Sequence, residues 1–367
     1  MATSLGPILV VGGCGFVGPN IIRELFRQDP SASISVLDLR TDTNVLPGVT
    51  YYAADITQKS KVEDVFAKVK PKTVFHTVSP PPLGDNPGLL HKVNIDGTQN
   101  LLACAQHVGT VRAFVYTSST GVVHDHYSPL RDVTEDVPIL FHPQQPEAYA
   151  HTKAIAETLV LQANRVGGML TAAIRPTTIY GEGDMLVTAE LCRTAYTGKA
   201  KFQFGDGKNM NDITYVGNLA YAEVLAAQAL VAASASSASA VPAAKRVEGE
   251  VFFLRNDERY PFWEVNRMVS RIAGYPVRKE DVWAFPRWLV MTCAFLVQWL
   301  VWAVTFGRKD VLVTPKVVRL VTMDRTFCID KIKERLGYRP RFTTEEGLQR
   351  AVGWYMRDVY GSKARAQ

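Results

Sequence analysis

Short apolar runs recur through the first half of the chain, each ending in a turn or a polar residue. PILVVGG, ISVLDLR, TVFHTVS, AFVYTSS and LTAAIRP share this form. Runs of this kind mark strands buried on both faces. Between them, apolar positions fall at helical spacing over 20–28, 60–69, 94–107 and 150–164. Strand–helix alternation predicts an α/β fold, a parallel sheet with helices on both faces. Ligands of such sheets bind at the carboxyl ends of the strands.

The first predicted strand runs into VVGGCGFVG. Gly12 permits a tight turn, Gly15 lets the backbone approach a pyrophosphate, and Gly18 lets the following helix pack close to the sheet. The helix start, with Phe16 and Val17, aims free amides at the anion. The second strand ends at Asp38, an acid placed to accept from an adenosine ribose and to repel a 2′-phosphate, which favours NAD over NADP. Arg40 is the counter-signal. Asp55 and Ile56, after the third strand, are candidates for adenine contact. Further on, YTSST closes a strand and YAHTK places Tyr149 and Lys153 four apart, on one helix face. An ammonium one turn from a phenol lowers its pKa by stabilising phenolate, and a serine hydroxyl from the neighbouring strand would hold a substrate oxygen.

The later chain reads differently. Residues 231–246, VAASASSASAVPAAKR, are low in complexity and are expected to form a flexible insertion. Residues 288–306, WLVMTCAFLVQWLVWAVTF, carry no formal charge and are flanked by Arg287 and by Arg308 and Lys309. As a helix this run would be about 28 Å long, near the thickness of a bilayer core. TTEEGLQRAVGWY opens with a capping box, Thr343 with Glu346.

Composition narrows the field. The 367 residues are 47% apolar and carry a net charge of +6, with basic residues scattered. Nucleic acid is therefore a poor partner. Five widely spaced cysteines form neither a disulfide framework nor a metal knuckle. His124, Asp125 and His126 lack a further nearby ligand and read as a substrate-lid loop, so no metal is expected. His76 is expected to pack near the cofactor. Glu182, Asp206 and Asp212 show no paired arrangement. The N-terminus lacks a charged segment followed by a long apolar one, so no secretory signal is expected.

Taken together, GGCGFVG, VFHTVSP, NIDGTQNLL, VYTSS, YAHTK, IRPTTIYGEGD, NDITYVGNLAYAEVLA and LGYRPRFTTEEGL resemble the extended short-chain dehydrogenases/reductases of the 3β-hydroxysteroid dehydrogenase family. Within it the chain is similar to the fungal sterol-4α-carboxylate 3-dehydrogenases (decarboxylating). The resemblance implies a Rossmann domain over 1–180 and a smaller substrate lobe over 181–367; the length and apolar character of 288–306 mark it as a membrane-associating segment, with a buried helix of the substrate lobe as the alternative. It implies Ser119 holding the substrate oxygen, Tyr149 as acid/base with Lys153 as partner, and Asn94 and Pro176 near the nicotinamide of NAD. The expected substrate is a sterol or triterpenoid, oxidised at its 3β-hydroxyl with loss of a 4α-carboxylate as carbon dioxide. Alternatives are a dehydrogenase without decarboxylation and a non-catalytic dinucleotide-binding scaffold. Expected partners are a membrane surface, other enzymes of sterol C4 demethylation and a second copy in a homodimer. The expected location is the endoplasmic reticulum membrane, catalytic domain toward the cytoplasm. Because LGYRPRFTTEEGL packs back on the catalytic lobe in this family, a monotopic insertion is expected rather than a span. Val11, where threonine often precedes the glycines, and Thr177 with Thr178 depart from the family pattern.

Overall fold

β1 (Ile8–Val11) is apolar and buried at every position. A parallel strand covered on both faces needs no alternation. The chain continues through α1 (Gly18–Gln28), β2 (Ile34–Asp38), β3 (Val49–Ala53), α2 (Lys59–Val69), β4 (Thr73–His76), α3 (Pro87–His91), α4 (Gly97–Val108), β5 (Ala113–Thr117), β6 (Leu130–Val133), α5 (Ala148–Gln162) and β7 (Leu170–Pro176). Then come β8 (Thr178–Tyr180), α6 (Val187–Tyr196), β9 (Phe202–Phe204), β10 (Ile213–Tyr215), α7 (Val216–Ala235), β11 (Glu250–Leu254) and α8 (Phe262–Ile272). The last elements are β12 (Trp283–Phe285), α9 (Arg287–Thr305), α10 (Pro315–Thr322), β13 (Arg325–Phe327), α11 (Asp330–Leu336) and α12 (Thr344–Trp354). This is a computed structural model, and it describes residues 4–82, 86–235, 245–306, 308, 311 and 313–361.

The main sheet is parallel throughout, in the order β11-β7-β5-β4-β1-β2-β3. The order reverses between β1 and β4, so the loops after those strands part and leave a crevice at their carboxyl ends. Helix α2 packs on α4 on one side, and α1 on α7 on the other. The expected α/β Rossmann architecture is what forms. Its seventh strand, β11, and its covering helix α7 come from beyond residue 180, so the sheet draws on both halves of the chain.

The second lobe has its own apolar centre, built from α6, α8 and α12 around Tyr180 and Tyr215. The Thr343–Glu346 capping box is formed at the start of α12. The stretch 231–246 departs from its expectation at its start. Val231 is buried and 231–235 complete the last turns of α7, because apolar and alanine residues continue the helix before the serine-rich part. Residues 236–244 and Lys309 lie outside the described residues.

Candidate active site

The glycine loop is held by close approach. Gly12 has φ +87°, and a Cβ there would lie 2.6 Å from Thr77 Oγ1. At Gly18 a Cβ would lie 2.4 Å from Gly12 O and 2.5 Å from Gly13 Cα, so α1 sits on the loop only with glycine. Gly15 differs: a Cβ would meet only Gly12 O, at 3.4 Å. Its open side faces the crevice. Asp38 closes the loop from below, its Oδ2 accepting from Cys14 N at 2.9 Å. Asn44 Nδ2 donates to Cys14 O and Gly15 O at 2.9 and 3.2 Å, a brace the sequence did not signal. Arg40 is exposed, with its backbone N–H 3.4 Å from Asp38 Oδ1. A cavity of about 450 Å³ opens from Gly15 and Phe16 past Glu182 toward Arg350 and Trp354 of α12.

Asp55 turns the loop after β3, its Oδ1 accepting from Thr57 N at 2.9 Å. Ile56 is buried and fills the space that a side chain at Gly97 would need, 2.5 Å from its Cδ1. Asn94 lies in a turn of π-helix, Lys92–Asp96, a local widening that often accompanies functional sites. Its Nδ2 donates to Thr152 Oγ1 at 3.0 Å, and its buried Oδ1 has no partner.

The chain passes from the glycine loop to the proposed reacting groups in a few steps. Gly12 abuts Thr77 and Val78, and Ser79 two residues on lies beside the Tyr149 phenol. Tyr149 and Lys153 occupy successive turns of α5. Ser119 caps the short helix Thr120–Val123, its Oγ accepting from Gly121 N at 3.0 Å, which leaves its own proton free to donate. That turn packs on Ala150 of α5: a Cβ at Gly121 would lie 3.6 Å from Ala150 Cβ. The structure thus brings Ser119, Tyr149, Lys153 and Asn94 to one end of the sheet. Pro176 ends β7 opposite Leu254. Thr177, just after β7, pairs its hydroxyl with that of Thr214 in β10 at 2.8 Å.

The expected lowering of the Tyr149 pKa by Lys153 is not what the geometry gives. Burial raises the phenol, and the Ser79 hydroxyl partly offsets it. Lys153 instead donates to Thr117 O at 2.6 Å, with its Nζ 4.4 Å from the Tyr116 ring centroid. Burial pushes its ammonium well below the usual lysine range, while Glu223 and Glu157 pull it back up. Glu223 was missed in the sequence. It is fully buried in α7, accepts from the Thr117 hydroxyl, and is raised by burial. Glu157, also missed, accepts from Ser118 Oγ at 2.6 Å and from Arg175 at 2.9 and 2.5 Å. Both acids sit on apolar helix faces where sequence gives no sign of a partner.

His76 is buried, 2.9 Å from Thr98 Oγ1, whose proton goes to Asn94 O at 2.6 Å. Nε2 therefore donates, and burial followed by the Lys153 charge holds the ring neutral, down to about 3. Asp125 closes a turn by accepting from Tyr127 N and Ser128 N at 2.8 Å. Among the described residues no group of three or more His, Cys, Asp or Glu is arranged for a metal. Asp212, read as unpaired, is buried between Arg255 and Arg259 at 3.3 and 3.5 Å. Glu182 accepts from the Tyr215 hydroxyl at 2.8 Å.

A parallel sheet with this strand order, a glycine loop under an acid, and a half-buried tyrosine one turn from a buried lysine define an extended short-chain dehydrogenase/reductase. Residues 9–287 match the 3-beta hydroxysteroid dehydrogenase/isomerase family, and the chain belongs to that family. It is 34% identical to the decarboxylating sterol-4-alpha-carboxylate 3-dehydrogenase of Saccharomyces cerevisiae, over 96% of this chain and 98% of that one. The human protein of the same description is 30% identical, over 94% and 86%. Among solved structures, UDP-glucose 4-epimerase of Thermus thermophilus in complex with NAD superimposes with a TM-score of 0.68 at 22% identity, covering 96% of this chain and 99% of that one.

Proposed function

We propose that the enzyme oxidises the 3β-hydroxyl of a 4α-carboxysterol with NAD, and that the resulting 3-keto acid loses its carboxylate as carbon dioxide. The observation that carries this is the half-buried Tyr149 and buried Lys153 beside Ser119, at the crevice end of the sheet, in a chain matched along nearly its whole length by relatives described with that activity.

The residues present fit NAD. Gly15 is open toward the crevice, Gly18 seats α1, Asp38 offers a carboxylate for a ribose, and Asn94 Oδ1 is a buried acceptor with no partner. When bound, the nicotinamide would accept the hydride from carbon 3. The Ser119 hydroxyl would donate to the substrate oxygen and orient it. Tyr149, ionised as the proton leaves for solvent, would take the hydroxyl proton as the carbonyl forms. Lys153, donating to Thr117 O, would fix the first turns of α5 against β5 and so position Tyr149. A carboxylate β to the new ketone then breaks its carbon–carbon bond, with the electron pair passing into the carbonyl as an enolate. Little further machinery is needed for that step.

We place the cofactor mainly on 1–180 and the sterol against 181–367. The exposed α9 fits a bilayer surface. Of its 19 residues only Ala294 is buried, and Trp288, Trp299, Leu300 and Trp302 are all exposed. α10 packs back on α9, and α11 returns to β11. This path supports a monotopic insertion, and we place it on the endoplasmic reticulum with the catalytic lobe toward the cytoplasm.

The test is Tyr149→Phe. Turnover should fall by roughly 10²- to 10⁴-fold, the usual contribution of a general base, while NAD binding followed by fluorescence stays near wild type. Turnover close to wild type would refute the assignment.

A further inference from the structure

A carboxylate entering an apolar lobe needs a cation that no protein acid has already taken. Arg325, in β13 opposite Leu130 of β6, meets that condition. Its Nε is sealed from solvent and has no hydrogen-bond partner. No ion pair to it forms among the described residues. Burial alone lowers its guanidinium, to about 10. The adjacent acid in the chain, Asp324, is engaged by Arg131 Nε at 2.8 Å and by Met210 N at 2.9 Å. Glu147, across the cluster, is paired with Lys316 at 2.7 Å.

A second orphan stands beside it. Both ring nitrogens of His126 are buried without a partner, and its ring lies 4.8 Å from that of His124. Burial, then the neighbouring His124, hold His126 neutral, with Arg325 and Lys316 adding to the effect and Glu147 opposing it. A neutral imidazole has one N–H to give. His124 is itself occupied, its Nε2 3.1 Å from Ser128 O.

The place of the cluster matters. Residues 124–126 continue directly from the turn that Ser119 opens. Gln145 Nε2 ties that turn to the segment entering α5, donating to Gly121 O at 2.9 Å and His124 O at 3.1 Å. Glu147, held by α10 through Lys316, precedes Tyr149 by two residues. His126 thus lies a few residues beyond Ser119, and Arg325 on the strand that pairs with the one following it.

A guanidinium whose Nε is sealed from solvent with no anion to meet it costs free energy, and buried polar atoms without partners are rare enough to need an explanation. We propose that Arg325 and His126 form the subsite that binds the substrate's carboxylate, which deepens and rests on the carboxysterol reading. The planar guanidinium suits a carboxylate with two parallel hydrogen bonds. The subsite also favours turnover: once carbon dioxide has left, the neutral ketone no longer satisfies Arg325 and binds less tightly.

The experiment uses the full chain with NAD and two substrates, a 4α-carboxy-3β-hydroxysterol and the same sterol without the carboxylate. The readout is the ratio of kcat/KM values, with KM and kcat separated. Arg325→Met should lower the preference for the carboxylated sterol roughly 10- to 100-fold, the value of one charge-assisted hydrogen-bond set, mostly through KM. Arg325→Lys should fall between, and His126→Leu should lose less. Thermal melting of Arg325→Met should equal or exceed wild type, since a cation with a sealed, unpartnered Nε is removed. If that variant does not fold, Arg325→Lys and His126→Leu decide. A wild type that prefers the carboxylated sterol while the variants keep that preference overturns the subsite. A wild type that turns over only the neutral sterol overturns the carboxysterol reading instead.

Discussion

Thr117 holds two opposite charges with one residue, its carbonyl taking the Lys153 ammonium and its hydroxyl bonding the Glu223 carboxylate. Burial pushes the lysine down and the acid up, each toward its neutral form, and each opposes that shift in the other. A second buried set, Ser118, Glu157 and Arg175, lies behind it. Removing one member there exposes the cost of the other. Glu157→Leu should destabilise the fold by about 3–5 kcal/mol by leaving Arg175 uncompensated. The double change with Arg175→Met should recover most of it, which denaturant unfolding would measure; equal stability of the single variant and the wild type would remove the pair from the account. Asp38 sets the other residue-scale expectation. NAD should be preferred over NADP, and Asp38→Ser should narrow the preference by roughly tenfold, about 1.4 kcal/mol. A wild type favouring NADP would mean that Arg40 dominates. At this scale Tyr149, Lys153, Ser119 and the glycines were legible, because their spacing on strand ends and one helix face is itself a signal. Glu223, Glu157 and Asn44 were not. Their roles depend on partners 30 or more positions distant or on a neighbouring element, and one carboxylate on an apolar face looks like any other.

Among the elements, α7 and α9 are alike in length and apolar composition but opposite in fate. α7 is largely buried, against α1, β5 and β7, whereas α9 is nearly all exposed. Composition marks both as candidates, and only packing separates them. An exposed apolar surface of this extent in water marks an interaction site. Arg287 at the start of α9 would favour an anionic surface. The full chain should therefore sediment with vesicles containing anionic lipid. Changing Phe295, Trp299 and Leu300, which are 54%, 57% and 64% exposed, to serine should release it while its melting temperature stays within a few degrees, since more than half of each side chain already faces solvent. Continued sedimentation of the triple variant, or no sedimentation of the wild type, would contradict this reading of α9.

For the molecule as a whole, the sheet order puts the glycine loop, the π-turn with Asn94 and the start of α5 at one edge, and the second lobe closes over them. Strand–helix alternation made the first six main-sheet strands readable, β7 (LTAAIRP) among them. The seventh, β11, is separated from β7 by residues 177–249, and no local pattern tells that Glu250–Leu254 returns to pair with β7. The small pairs β6 with β13 and β9 with β12 are likewise long-range, and the first of them is what puts Arg325 near His126. Oxidation and carbon loss are joined in one site on this reading. Incubating the purified enzyme and NAD with a 4α-carboxysterol labelled at the carboxyl carbon, and counting NADH formed and labelled carbon dioxide released, checks this. One of each is expected per turnover, with both lost together in Tyr149→Phe. NADH formed with the carboxylate still on the product, or no NADH at all, would contradict it.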